Sequence, residues 1–204
     1  MIWLAAGTIA AVLLAFFAFI AWQIRRRNLR RWLPAYWRER KRYQVPTADE
    51  EVHVVLCIAD HYEPNAGGAD VATGRQRVAK WLAEFPKQFG RFHDSDGRPP
   101  RYSFFFPIEE YEKEYLDALA QLCRAGFGEV EMHLHHDNDT AENLRVRLRA
   151  FKDTLVAHGL LSRHRKTEQV MYGFIHGNWA LCNSHPDGRN CGVNNEIEIG
   201  RAHV

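Results

Sequence analysis

The chain has 204 residues, of which 46% are hydrophobic, 12% aromatic and 25% charged. That composition excludes a disordered chain, a collagen-like repeat and a disulfide mini-scaffold, and the length suits one domain with an appendage. The net charge of +2 hides an asymmetry. Residues 1–45 hold nine Lys/Arg against one acid, Glu39, a net +8, and the other 159 residues hold 18 against 24, a net −6. An acidic domain argues against a nucleic-acid partner.

Residues 2–24 carry no charge, and only Thr8 and Gln23 are clearly polar. As a helix they span roughly 34 Å, enough to cross a bilayer core of about 30 Å. Trp3 and Trp22 sit near the two ends, where interfacial aromatics belong. A transmembrane helix over 2–24 is therefore expected. The rival, a cleaved signal peptide, wants its positive charge before the apolar run, a shorter run and a small-residue cleavage site. Here Arg25, Arg26 and Arg27 follow the run. The positive-inside rule then places residues 25 onward in the cytoplasm. Residues 25–50 form a basic juxtamembrane segment. Within it, Arg30 to Tyr43, with Trp32, Tyr36 and Trp37, either lies on anionic lipid or is a solvated linker. Pro46 to Glu51 reads as linker. Cys57 and Cys123 sit in apolar patterns and are expected as buried thiols, whereas Cys182 and Cys191 could pair only in an oxidising compartment.

Residues 51–197 alternate strand and helix. His53 to Ala59 is a short apolar, β-branched run, as a buried parallel strand should be. A helix is expected over 71–89, with Val78, Trp81, Leu82 and Phe85 on one face, and then a turn at Asp94 to Pro100. Arg101 to Phe106 is a second strand. Ile108 to Arg124 is a helix, with Gly126 just past its end. Glu129 to His135 is a third strand. Ala141 to His158 is a helix capped by Asp139 or Thr140 and followed by Gly159. Gln169 to Ile175 is a fourth strand. The order predicts an α/β fold with a parallel sheet and right-handed crossovers. Four strands are too few to close a barrel. Residues 198–204 read like a translated sequencing adapter, so a non-native tail on a truncated chain is expected.

In parallel β/α folds, functional groups gather at the carboxyl ends of the strands. The expected strand ends carry Asp60 and His61, Glu109 and Glu110, His133 to Asp139, and His176 to Trp179. His133 and His135, two apart on a strand, face one side. Imidazole suits borderline divalent metals such as zinc, so a divalent metal is the expected cofactor. His61 or Asp60 is the candidate third ligand, and Asp137 or His136 could complete the set. Asp60 is the candidate general base beside the ion, and His176 a candidate general acid or substrate-binding group. Trp179 is a candidate sugar-stacking platform and Asn178 a weaker substrate contact. Glu109 and Glu110 read as dipole-favoured acids at a helix start. Motifs for Rossmann cofactors, P-loop phosphoryl transfer, zincin proteolysis, serine-hydrolase and thioredoxin chemistry are missing.

The blocks ADHYEP, GFGEVEMHLHHDNDT and FIHGNWALCNS resemble the NodB-like polysaccharide deacetylase superfamily, carbohydrate esterase family 4 in the wide sense, and within it an uncharacterised bacterial branch. The resemblance covers roughly residues 50–197 and implies the front portion of a distorted (β/α) barrel. By position, Asp60 matches that family's base aspartate, and His61 falls where it has a metal-ligand aspartate. His133 matches the first histidine of its second motif. Asp137 falls where the second histidine stands, with His135 and His136 as alternatives. The resemblance implies a metal-dependent hydrolase removing an N-acyl group from an amino sugar, glycan or lipid-linked sugar; the apolar run and the arginines after it add the expectation of a membrane anchor with the domain on the cytoplasmic side of a bacterial inner membrane. The altered ligand positions keep two alternatives open. One is a catalytically degenerate glycan-binding or scaffold protein of envelope biogenesis, and the other a metal-dependent phosphoesterase or amidohydrolase.

Overall fold

Parallel strands need both faces covered and a ladder partner on at least one edge. That requirement decides where the first strand begins. A computed structural model describes residues 2–40, 42 and 49–201. The chain divides into two compact units, 1–55 and 56–204.

In the first unit, α1 (Ile2–Arg26) is followed by α2 (Leu29–Glu39), with Asn28 between them in the left-handed conformation. Within Gly7–Arg26, an 18-residue stretch reaches a mean hydropathy of 2.1. With 25 residues, α1 is about 37 Å long, sufficient to cross a bilayer. Helix α2 places Trp32 and Tyr36 in ring contact, and Arg40 just beyond it stacks on Trp37. The basic stretch is therefore helical as far as Glu39. Lys41, Tyr43 and the start of the expected linker, Pro46 to Ala48, lie outside the described residues.

The second unit is an α/β fold around a curled, parallel half-barrel sheet. Its strands are β1 (Ala59–His61), β2 (Tyr102–Pro107), β3 (Gly128–Leu134) and, after a small hairpin, β6 (Phe174–His176), in the spatial order β1-β2-β3-β6. The hairpin pairs β4 (Ser162–Arg163) with β5 (Val170–Met171) antiparallel. The expected fourth strand, 169–175, is thus two pieces, and only the second joins the main sheet, Ile175 opposite His133.

The strand expected over His53 to Ala59 is a correction. Val54, Val55 and Leu56 are 87%, 90% and 82% exposed, and the ladder starts only at Ala59, opposite Ser103. Pro99 and Pro100 stop β2 from extending backward, because proline donates no ladder hydrogen bond, and among the described residues no strand pairs with the chain before Ile58. Cys57, in this run, is exposed rather than buried.

Helices α3 (Val71–Phe89), α4 (Lys113–Arg124) and α5 (Ala141–Ala157) cover one face of the sheet. Asp70 caps α3 by accepting from the Thr73 N–H, and Thr140 caps α5 by accepting from the Asn143 N–H. The expected helix over 108–124 is interrupted: 108–110 is a 3-10 turn, and α4 begins at Lys113. Phe104, Phe106, Val130, Met132 and Leu134 point toward the helices and meet Leu116, Leu119, Leu144, Leu148 and Leu155, all buried. The alternate residues, Phe105, Glu131 and His133, line the other, concave face. Residues 196–201 form α6 (Glu196–Arg201), with Ile199 buried, so part of the expected tail packs into the core; 202–204 lie outside the described residues.

Candidate functional site

The strands end at one rim, and two histidine clusters form there. The first is partly open. His61 ends β1, Glu63 follows in the loop, and His133 is the penultimate residue of β3. Their ligand atoms lie within 4.8 Å of one another, a spacing that could hold a metal ion. The Glu63 carboxylate is 3.3 Å from His133 Nε2, 3.7 Å from His61 Nδ1 and 3.5 Å from His135 Nε2.

Hydrogen bonding fixes the protons of His133. A neutral imidazole has one N–H, and the Ile175 carbonyl, 2.8 Å from Nδ1, can only accept. The proton is therefore on Nδ1, and the Nε2 lone pair faces the Glu63 carboxylate. Two acceptors so close need a cation or a second proton between them. Burial, together with neighbouring His61 and His135, pushes the His133 pKa down and opposes that second proton, although the Ile175 and Glu63 contacts favour it. A divalent cation satisfies both acceptors.

His135 lies just beyond β3, and Glu109 holds it twice, accepting from its backbone N–H at 2.9 Å and pairing with its Nδ1. Its ring rests on Gly177, where a Cβ would come within 2.3 Å of it. Trp179, 91% exposed and at φ 61°, stacks on His61 with ring centroids 5.9 Å apart. A cleft of about 400 Å³ opens beside β1, lined by Asp60, His61, Glu63, Arg77 and Lys80 among others.

Asp60 does not join the cluster. Neighbours along β1 face opposite sides, and the Asp60 carboxylate accepts from the Tyr102 hydroxyl at 2.8 Å on the helix-covered side. Asp137 is also engaged elsewhere, accepting from the backbone N–H groups of Asn138 and Asn190. Asn178 donates to the His136 carbonyl and ties two loops together. Of the expected site residues, the structure gathers His61, His133, His135 and Trp179. Glu63 was visible only as part of the ADHYEP block, and Glu109, though at an expected strand end, read as a helix-start acid.

The second cluster is closed. His136, His176, Cys191 and Glu196 are all buried and have ligand atoms within 4.8 Å of one another, so this group too could hold a metal ion. His176, the expected general acid, belongs here. The four cysteines are free, so Cys182 and Cys191 form no disulfide. Cys191 and Glu196 were missed because Cys191 lies in the irregular stretch after Trp179 and Glu196 opens the six-residue α6, where no period points to a partner. Burial pushes the Glu196 carboxyl up, but the hydrogen bonds it accepts from the Cys191 thiol and the Cys182 N–H help to hold it below its usual range. Comparison of the chain with family models, curated proteins and solved structures finds no match.

Proposed function

We propose that the open cluster is the centre of a metal-dependent hydrolase that removes an N-acyl group from an amino sugar, glycan or lipid-linked sugar. The observation that carries this reading is the convergence of His61, Glu63 and His133 at a partly exposed strand-end rim, under an exposed tryptophan. Closed sites with four protein ligands serve structure, whereas catalytic sites keep a position free. The metal, zinc by its donor set, would supply polarisation of the acyl carbonyl and a bound water of lowered pKa.

The chain's own residues supply the rest. His135, oriented by Glu109, is placed to move a proton at Nε2 beside the cluster. This role replaces the one expected for Asp60, whose carboxylate faces the other side. Trp179 offers a flat apolar face to a sugar ring, and the neighbouring cleft shares His61 and Glu63 with the cluster, giving the remainder of a substrate room. Helix α1 would anchor the site to the bacterial inner membrane. The arginines after it favour a cytoplasmic domain and a lipid-linked substrate.

The displacement of Asp60 favours a second reading, a degenerate domain that binds glycan without cleaving it. One experiment separates the two. The full chain in detergent, loaded with zinc, is given N-acetyl and N-formyl amino sugars, and released acetate or formate is measured. Hydrolysis lost at least about 100-fold in His135→Ala, with sugar binding kept, supports the hydrolase. Binding without any release supports the degenerate domain.

A further inference from the structure

We propose that His136, His176, Cys191 and Glu196 form a closed, four-ligand structural site for a zinc-type divalent cation. It is separate from the rim cluster and clamps the segment 181–199, up to the start of α6, onto the ends of β3 and β6. The proton inventory is the argument. Asp139 faces His136 Nδ1 at 2.9 Å, and the Asn190 carbonyl faces His176 Nε2 at 3.1 Å. Both partners accept, so each ring's proton is on that outer nitrogen. The inner nitrogens, His136 Nε2 and His176 Nδ1, are then bare lone pairs 3.0 Å apart, each 2.8 Å from the same Glu196 oxygen. Three acceptors converge in the protein interior with no proton between them.

Without a metal, this triangle needs at least one further proton, shared between facing nitrogens 3.0 Å apart and the carboxylate, and an imidazolium is costly in a buried place. One divalent cation satisfies all three acceptors. The Cys191 sulfur, 3.0 Å from the other Glu196 oxygen, completes a tetrahedral number of donors. On binding, the thiol proton leaves to solvent. The thiolate and carboxylate then balance the dication, and the buried centre is neutral. Thiolate with imidazole selects a zinc-type ion over magnesium or calcium.

The surroundings are those of a metal site. Asp139 and the Asn190 carbonyl orient the two rings from behind. The Cys182 N–H holds the second Glu196 oxygen at 2.6 Å. Gly192, at φ 94°, lets the cysteine-bearing loop press onto Asp139, whose backbone nitrogen a Cβ would approach to 2.2 Å.

The test uses the stripped full chain in detergent, titrated with Co(II). One equivalent should bring a thiolate-to-cobalt charge-transfer band with strong tetrahedral visible absorption. The band should vanish in Cys191→Ser and His176→Ala but persist in His133→Ala, which loses only the second equivalent. A folded wild type without the band, or a band unchanged in Cys191→Ser, overturns the proposal. Should the variants fail to fold, zinc-edge X-ray absorption of the wild type decides. A sulfur scatterer at about 2.3 Å is expected, and a shell of nitrogen and oxygen alone overturns it. The rim hydrolase can fail its own test without touching this one, since the rim cluster contains no sulfur.

Discussion

Glu131 sits two residues before His133 on the concave face of β3, and burial pushes its carboxyl up to about 7, against the hydrogen bond it accepts from the Gly173 N–H. Its folded pKa lies above the unfolded value, so the native state binds the extra proton. Its contribution is therefore full below about pH 4.5 and is lost as pH rises through 7. The change amounts to about 3 kcal/mol at most. Glu131→Gln cannot ionise, so its stability relative to wild type should rise between pH 4.5 and 8, which urea unfolding at the two values measures. Equal gaps at both would remove Glu131 from the account. Glu109 makes a different residue-scale prediction. It touches His135 and not the metal cluster, so Glu109→Gln should lower kcat about 10- to 100-fold while bound zinc stays the same. Loss of zinc would make His135 a ligand instead. Trp179→Ala should raise KM about 2- to 10-fold, the worth of one aromatic contact, with kcat little changed in steady-state assays.

At the scale of elements, caps and apolar stripes carried most of the legible signal. Thr140 ends an extended stretch and accepts from the Asn143 N–H at 3.2 Å, so Thr140→Ala should cost about 1 kcal/mol in chemical unfolding. Leu119 is fully buried between α4 and the sheet. Leu119→Ala should cost about 2–5 kcal/mol, and a smaller loss would mean that the interior closes around the gap. Helices α3 and α5 were legible from spacing because a 3.6 period marks their faces. The run His53 to Ile58 was not. Its residues suit a strand, but pairing depends on β2, which two prolines halt. Similarly, the 169–175 strand breaks because its first half pairs with Ser162–Arg163 and its second with β3.

For the whole molecule, α1 and the half-barrel make separate claims. The full chain should stay with membranes after alkaline carbonate washing, and a chain lacking residues 1–28 should move to the soluble fraction. Retention of the shortened chain would shift the anchor to α2 and its aromatic residues. The long apolar helix, the charge asymmetry, the parallel α/β order and the gathering of histidines at strand ends follow from the sequence by itself, because each is a local property of spacing and composition. The division of those histidines into an open cluster with Glu63 and a buried one with Cys191 and Glu196 does not. His133, His135 and His136 are near neighbours in the chain; the alternation of β3 turns His133 to the concave face, and the turn after β3 sends His135 to the open cluster and His136 to the buried one. Cys191 and Glu196 reach His136 across 55 and 60 residues, through a segment with no period to read. Asp60 parts from His61 for an equally spatial reason: both belong to β1, and adjacent strand residues face opposite sides of the sheet.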